Sequence, residues 1–201
     1  KVETFAGFEA LPLGEDGLPE SALLDGTRDT AAFNQPRGMD VDAEGNIYVA
    51  DAGNHAIRKI SPDGAVTTVA GDGTSGARNG ANGQFHYPSD VAVTTDGTIY
   101  VADTLNHAIR RVALDGTVST LNAVSERLVE VVDGVVYRAG DYADGRIEQA
   151  LFNEPSGLAL DAEGNLYVSD SGNHLIRYLD LQAGTVSTVA GMKPEAGAIY
   201  A

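Results

Sequence analysis

The chain has 201 residues, and its 43% hydrophobic content is enough for a sizeable core, which excludes a disordered chain. Thirteen Lys and Arg against 29 Asp and Glu give a formal net charge of -16, which repels phosphate backbones and anionic lipid surfaces. Because of this charge, we expect no nucleic-acid partner. The chain has no cysteine, which excludes disulfides, thiolate zinc sites and a cysteine nucleophile.

The sequence also bears on location. No run approaches the roughly eighteen apolar residues of a membrane span, so we expect no membrane insertion. Lys1 begins directly in strand-like sequence without the regions of a signal peptide, which predicts either a cytoplasmic protein or one whose leader has been removed. Because an acidic, cysteine-free, Gly-rich composition is typical of bacterial surface proteins, we expect a secreted or cell-surface protein.

A phrase of twelve residues occurs three times: "VADAGNHAIRKI" from Val49, "VADTLNHAIRRV" from Val101 and "VSDSGNHLIRYL" from Val168. The histidines of the phrase are separated by 52 and then 67 residues, and three prolines keep the same intervals: His55, His107, His174 and Pro36, Pro88, Pro155. A period of this length indicates a solenoid, an array or a propeller.

Each repeat contains four short strand-like runs. In the third repeat they are "GLALD", "NLYVSD", "HLIRYLD" and "TVSTVAG", starting at Gly157, Asn165, His174 and Thr185. The second run alternates apolar with other side chains, as a strand packed between layers requires. The connections are rich in Gly, Asp and Asn, which favour tight turns. Four antiparallel strands joined by hairpins predict a propeller blade in an all-β fold.

The phrases "GNIYVADAGNHAIR", "GTIYVADTLNHAIR" and "GNLYVSDSGNHLIR" resemble the NHL repeat over roughly residues 25–191. The preceding "FNQP", "FHYP" and "FNEP" are similar to the lead-in of bacterial secreted versions. The resemblance implies a β-propeller, commonly of six blades. We expect residues 1–201 to form one propeller segment, with three complete blades at about 33–71, 85–140 and 152–191. The opening residues 1–7, which contain "VETFAG", are predicted to be the last strand of a preceding blade.

Three segments depart from the simple repeat. A long Gly-, Pro- and acid-rich connection runs from Gly7 to Pro36, and an insertion runs from Asn122 to Gly140. The insertion is predicted to form a hairpin around Asp133-Gly134, which either lengthens the outer edge of a blade or crosses one face. The repeated connections "DGTRDTAAF" and "DGRIEQALF" are each predicted to contain a short helical turn.

The Asp-x-x-Asn-His-x-x-Arg pattern suggests a metal or acid-base site, but its presence in every repeat favours a polar network that holds each blade together. The predicted network residues are Asp51, Asn54, Arg58, Asp103, Asn106, Arg110, Asp170, Asn173 and Arg177. A metal site made by His55, His107 and His174 is rejected, because equivalent positions on successive blades lie far apart around a ring.

Positions that differ between repeats at the mouth of the channel are better candidates for ligand binding. They are Asn34, Arg37, His86, Ser89, Asp90, Asn153 and Ser156. His86 and Asp90 stand where the other repeats have Asn and Gly, and these two residues are the first suspects for a channel metal.

No cofactor is expected. Calcium is an alternative at "DYADGRIE", Asp141 to Glu148, or at "GEDG" from Gly14, but neither stretch has the alternating carboxylates of an EF-hand loop. The sequence favours a binding or scaffolding module for a protein, glycan or small ligand, without catalysis. The alternative is a metal-dependent propeller enzyme of lyase or lactonase type. We also expect either self-association or further blades outside this chain.

Overall fold

The computed structural model describes residues 2–7, 22–131 and 135–193. Its strands form three antiparallel sheets, which we call the first, second and third blades, and a separate hairpin. The first blade contains β1 Gly26–Thr27, β2 Pro36–Val41, β3 Ile47–Asp51, β4 Ala56–Ile60 and β5 Ala65–Ala70. The second contains β6 Pro88–Val93, β7 Ile99–Asp103, β8 Ala108–Val112 and β9 Val118–Thr120. The hairpin contains β10 Leu128–Val131 and β11 Val135–Arg138. The third blade contains β12 Gly145–Arg146, β13 Pro155–Leu160, β14 Leu166–Asp170, β15 Leu175–Asp180 and β16 Thr185–Ala190.

The blades pack face to face, with their innermost strands side by side. Strand β6 lies between β2 of the first blade and β13 of the third. One apolar cluster joins the first and second blades, and another joins the second and third. Both faces of the second blade are therefore buried, which explains why β7 is buried along its whole length. The all-β fold with propeller blades agrees with the prediction from the repeat.

Two short outer strands were not predicted. Strand β1 pairs with β5, and β12 pairs with β16, so the first and third blades each have a fifth strand. These strands come from the two repeated connections, which also contain the predicted turns. The turn in the third blade is a 3-10 helix over Ile147–Gln149.

The predicted hairpin in the insertion is present. Leu128 pairs with Arg138 and Val131 with Val135. The predicted turn at Asp133-Gly134 lies outside the described residues. The hairpin forms a sheet of its own and does not lengthen the edge of the second blade. Residues 2–7 form no strand, and the Gly7 N–H donates to the Arg28 carbonyl at 2.8 Å. No helix within the described ranges is both long and apolar enough to cross a membrane.

Candidate functional site

One face of the blades carries the segments that precede the innermost strands, together with three 3-10 turns. The turns are Ala52–Asn54, Thr104–Asn106 and Ser171–Asn173. Each turn donates a backbone hydrogen bond to the segment before its own blade's inner strand: Gly53 to Asn34 at 2.9 Å, Leu105 to His86 at 3.1 Å and Gly172 to Asn153 at 2.8 Å. We call this the loop face.

The Asp, Asn and Arg of each repeat meet in one hydrogen-bonded cluster. In the second blade, the Asp103 carboxylate accepts from Asn106 Nδ2 at 2.8 Å and from Arg110 Nη1 at 2.6 Å. Its other oxygen accepts the His86 N–H at 2.7 Å. The first and third blades repeat these bonds around Asp51 and Asp170. The structure therefore brings together each of the three predicted sets of network residues.

These clusters lie in the interior. The three aspartates and three arginines are fully buried. Burial raises the pKa of Asp103 to about 6, against the opposing effect of Arg110 and the hydrogen bonds. Arg110 also donates to the backbone carbonyls of Gln84 and Arg78, so it joins its blade to the preceding connection. Among the described residues, Arg58 and Arg110 each leave a buried Nε without a partner.

The histidines of the phrase act between blades. His55 Nδ1 accepts the Tyr87 N–H, and His107 Nδ1 accepts the Glu154 N–H, both at 3.0 Å. Burial lowers the pKa of His107, which favours the neutral ring that can accept at Nδ1. Its Nε2 lies 3.0 Å from the Arg138 carbonyl and so anchors the inserted hairpin next to the loop face.

Two predicted ligand-binding residues pack against glycines of the turns. A Cβ on Gly53 would lie 2.4 Å from the Asn34 side chain, and a Cβ on Gly172 would lie 2.5 Å from the Asn153 side chain. Asn153 also packs against Gly140 at the end of the insertion. Both asparagines therefore have close packing contacts within their own blades or the insertion.

Ser89 and Asp90 make contacts between blades. Ser89 is buried, and its hydroxyl donates to the Ser156 carbonyl at 3.0 Å. The Asp90 carboxylate accepts N–H groups from Val91 at 2.9 Å and from Leu158 of the third blade at 2.8 Å. Burial, together with the charge of Asp40, raises the pKa of Asp90. Asp90 fits because the neighbouring blades have glycine at the equivalent position, Gly38 and Gly157.

Arg37 is exposed at the loop face, and His86 and Ser156 are partly exposed there. The Arg37 guanidinium lies 4.6 Å from the centre of the Tyr87 ring, and its Nη2 donates to the Tyr87 hydroxyl at 3.2 Å. The same hydroxyl is hydrogen-bonded to Gln35. The His86 ring meets the His55 ring edge to face at 5.7 Å.

Sequence reasoning missed Tyr87, the partner of Arg37, and Gln35, whose side chain accepts a hydrogen bond from the Tyr87 hydroxyl. The signal that could have found them is a difference between repeats at the residue before the proline that begins each inner strand. This residue is Gln in the first repeat, Tyr in the second and Glu in the third. All three have positive φ, between 49° and 58°, so their side chains leave the loop face from the same backbone conformation.

The available donors do not fit a metal site. No three His, Asp or Glu side chains in the described ranges group closely enough to hold a metal ion. In the stretch considered for calcium, the two Asp144 oxygens pair with Arg177 and Lys193, each at 2.8 Å. The Asp144 carboxylate is therefore neutralised by the protein's own cations. The other calcium candidate, from Gly14, lies outside the described residues.

The NHL repeat family matches residues 33–60, 85–112 and 152–177. The chain contains three NHL repeats. This NHL-repeat chain is 31% identical over 182 residues to the protein SUPPRESSOR OF QUENCHING 1, chloroplastic, of Arabidopsis thaliana. The alignment covers 85% of the chain and 16% of the plant protein. It is also 31% identical over 144 residues to a gluconolactonase of Zymomonas mobilis, covering 69% of the chain and 35% of the enzyme.

A solved structure supports the NHL propeller fold. An auxiliary nutrient binding protein from Bacteroides thetaiotaomicron matches with a TM-score of 0.60 at 19% identity, over 79% of this chain and 38% of that protein. The chain thus spans well under half the length of each of these three proteins. The relatives come from a plant and from bacteria, so they do not assign the chain to the bacterial secreted type.

Proposed function

We propose that this chain is a binding module whose loop face binds a glycan or another small polar ligand around Arg37 and Tyr87. The observation that carries the proposal is the exposed Arg37 guanidinium stacked over Tyr87, with Gln35 on the same hydroxyl. The stack holds an arginine, whose remaining N–H groups can donate to a ligand, beside an aromatic ring.

The loop face combines a fixed backbone with variable side chains. The tripeptides Gln35–Arg37, Tyr87–Ser89 and Glu154–Ser156 start from matching positive-φ residues, yet they present different groups. Specificity can change at such positions without unfolding the scaffold. His86 directly precedes Tyr87 in the chain, and the Ser156 carbonyl accepts a hydrogen bond from Ser89, two residues after Tyr87. We include His86 and Ser156 in the proposed site.

The chemistry of these groups favours a sugar. Sugar hydroxyls accept hydrogen bonds from a guanidinium, and the C–H faces of a sugar pack against an aromatic ring. The net charge of -16 disfavours a strongly anionic polymer. The Bacteroides protein of similar fold is a nutrient binding protein, and ligand binding by this chain is proposed in keeping with it. A secreted or cell-surface location in a bacterium is proposed from the acidic, cysteine-free, Gly-rich composition.

The experiment is isothermal titration calorimetry of the chain against a panel of neutral oligosaccharides. The double variant Arg37→Ala/Tyr87→Ala should lose at least about tenfold in affinity for a bound sugar, equivalent to about 1.4 kcal/mol. Arg146→Ala is the matched control, because Arg146 is exposed on the outer strand β12. Full affinity in the double variant, or no binding by the wild type, would refute this site.

A second candidate function is a lactonase, favoured by the 31% identity to the Zymomonas gluconolactonase. The described donors do not fit a metal, so no step through a metal is assigned. Elemental analysis of untagged protein purified without chelator, together with a lactone-hydrolysis assay, tests this candidate. A stoichiometric metal whose loss on Asp90→Asn accompanies loss of hydrolysis would favour the enzyme over the binding module.

A further inference from the structure

His55 holds the backbone of Tyr87, the aromatic residue of the proposed ligand site, across the interface between the first and second blades. The His55 Nδ1 accepts the Tyr87 N–H at 3.0 Å. Tyr87 has a φ of 58°, a left-handed conformation that a residue other than glycine keeps only where its surroundings hold it. Its hydroxyl is hydrogen-bonded to Gln35 and Arg37 on the loop face. The histidine therefore fixes the backbone that carries the Arg37–Tyr87 stack.

This hydrogen bond requires a neutral His55 ring. A backbone N–H can only donate, so the His55 Nδ1 offers its lone pair and the ring proton lies on Nε2. A protonated imidazole has an N–H at both nitrogens, and its Nδ1–H would point at the Tyr87 N–H. The ring and the Tyr87 backbone would then have to separate. The position of Tyr87 thus depends on the protonation state of one side chain.

A second histidine, His86, lies beside the first. The His86 ring meets the His55 ring edge to face, with 5.7 Å between the ring centres. The other two repeats have Asn34 and Asn153 at the position of His86, so only the second repeat places a histidine there. Two neutral rings pack well at this distance, but two imidazolium charges repel each other. Protonation of both rings would therefore push the His86–Tyr87 segment away from His55.

The surroundings of the two rings favour their neutral forms. Burial lowers the pKa of His55 below its ordinary value of 6.5, with no opposing contribution from a carboxylate among the described residues. Burial also lowers the pKa of His86, and the charges of His55 and His107 lower it further. His107 faces the carboxylates of Glu154 and Asp170, but burial outweighs them and lowers its pKa as well.

Acid therefore weakens the contact between His55 and Tyr87. A His55 ring released to solvent titrates near 6.5, and the ring that accepts the Tyr87 N–H titrates lower. The released ring takes up its proton at the higher pH of the two. The contact is thus intact above about pH 6.5 and is lost progressively as the pH falls below that value.

We propose that His55 and His86 form an acid-sensitive switch that controls ligand binding at the Arg37–Tyr87 stack. Near neutral pH, His55 holds Tyr87 in place beside Arg37. In acid, the protonated His55 releases the Tyr87 N–H and repels the protonated His86, so the stack opens and the ligand dissociates. The proposal rests on the binding function proposed above and gives its regulation.

The test follows the Tyr87 amide of the whole chain by NMR at pH 7.5 and pH 5.5, without ligand. We expect its protection from hydrogen exchange, relative to the intrinsic rate at each pH, to fall by about fivefold or more, in step with the titration of the His55 ring. The amides of β7, which is buried along its whole length, are the reference, because global unfolding would expose them too. Unchanged protection of Tyr87, or an equal loss in β7, would overturn the switch.

Two variants assign the effect to the histidines. His55→Asn places an amide oxygen where Nδ1 accepts the Tyr87 N–H, and it does not titrate, so protection of Tyr87 should no longer depend on pH. His86→Asn has the residue of the other repeats, and it should make the pH dependence shallower, because one proton instead of two drives the release. The same slope in His86→Asn as in the wild type would contradict the role of the second ring.

Asp103 is the other group beside His86 that titrates in this range. Its carboxylate accepts the His86 N–H, and burial raises its pKa to about 6. The His55→Asn variant leaves Asp103 in place. Acid sensitivity of Tyr87 that persists in this variant would assign the effect to Asp103 and overturn the proposal.

Calorimetry separates the switch from the binding function. The panel of neutral oligosaccharides is titrated into the wild type and into His55→Asn at pH 7.5 and pH 5.5. A sugar bound at pH 7.5 should lose about fivefold in affinity at pH 5.5 with the wild type and should keep its affinity with His55→Asn. Equal affinity of the wild type at both pH values would overturn the switch alone. No binding at either pH would refute the binding function, even where NMR shows that acid releases Tyr87.

Discussion

The imidazole Nδ1 of His107 accepts the backbone N–H of Glu154 at 3.0 Å, and this bond joins the second blade to the third. His55 makes the same bond to Tyr87 across the first interface. The Asp, Asn and Arg of the phrase bond within their own blade and its preceding connection. One phrase therefore serves both to fix a blade and to attach the next one.

Replacing His107 by Ala should destabilise the protein. The variant leaves the Glu154 N–H without its acceptor at a partly buried position, which is expected to cost about 1–3 kcal/mol in the free energy of unfolding. His174→Ala is the control, because that side chain is exposed and joins no further blade in the described structure. Urea unfolding measures both variants, and equal losses would contradict a role between blades.

Replacing the network aspartate should cost more than replacing the histidine. Asp103→Ala leaves a fully buried Arg110 without its counter-ion, which is expected to cost about 3–5 kcal/mol. Asp51→Ala and Asp170→Ala should cost similar amounts, because each blade has the same pair at nearly the same distance. Thermal unfolding beside Glu163→Gln, an exposed control, checks this. One aspartate that is silent for stability but required for ligand binding would contradict the purely structural role.

The strands could be predicted because their pattern is local. Each long strand carries its own alternation and turn residues, and the three copies of the phrase fix the register of Asp103 with Arg110 within eight residues. Strands β1 and β12 escaped prediction because two-residue strands have no pattern of their own, and they form only against the edges of β5 and β16.

The candidate site was predictable only in part, since its contacts join distant residues. The position of Arg37 in the repeat predicts a place at the channel mouth, but its stacking partner Tyr87 is 50 residues away. Asp90 breaks the repeat, which predicts a ligand contact, and the structure shows its carboxylate accepting a backbone N–H of the next blade. A change between repeats therefore cannot distinguish a ligand contact from a contact between blades.

The two glycines that flank Asp90 should differ in their tolerance of a methyl group. A Cβ on Gly38 would lie 1.9 Å from Asp90 Oδ1 and 2.8 Å from its Cα, so the backbone would have to shift. A Cβ on Gly157 would lie 3.1 Å from the Ser169 hydroxyl and 3.9 Å from Asp90 Oδ2, so it would need at most a small shift of the serine. Gly38→Ala is expected to cost about 1–3 kcal/mol, and Gly157→Ala clearly less. Adding Asp90→Gly should relieve part of the Gly38→Ala loss, and strict additivity in urea unfolding would contradict the contact.

Acid should expose the contribution of Asp144. Partial burial opposes its ionisation, but hydrogen bonds from Lys193 and Tyr142 and the charge of Arg177 outweigh burial and lower its pKa to about 2, from 3.8 in the unfolded chain. Because the folded pKa is the lower one, the folded state takes up the proton less readily than the unfolded chain. The stabilisation is therefore present above about pH 4 and is lost as the pH falls towards 2.

The variant Asp144→Asn should accordingly weaken the pH dependence of the unfolding free energy between pH 4 and pH 2. It removes the carboxylate but keeps a side chain of the same shape beside Arg177, so the remaining slope reports the other acids. Asp29→Asn serves as the control, because Asp29 is exposed in the turn that follows β1 in the first blade. Urea unfolding at half-unit pH steps measures the slope. A slope as steep in Asp144→Asn as in Asp29→Asn would mean that the ion pairs of Asp144 with Arg177 and Lys193 do not stabilise the third blade in solution.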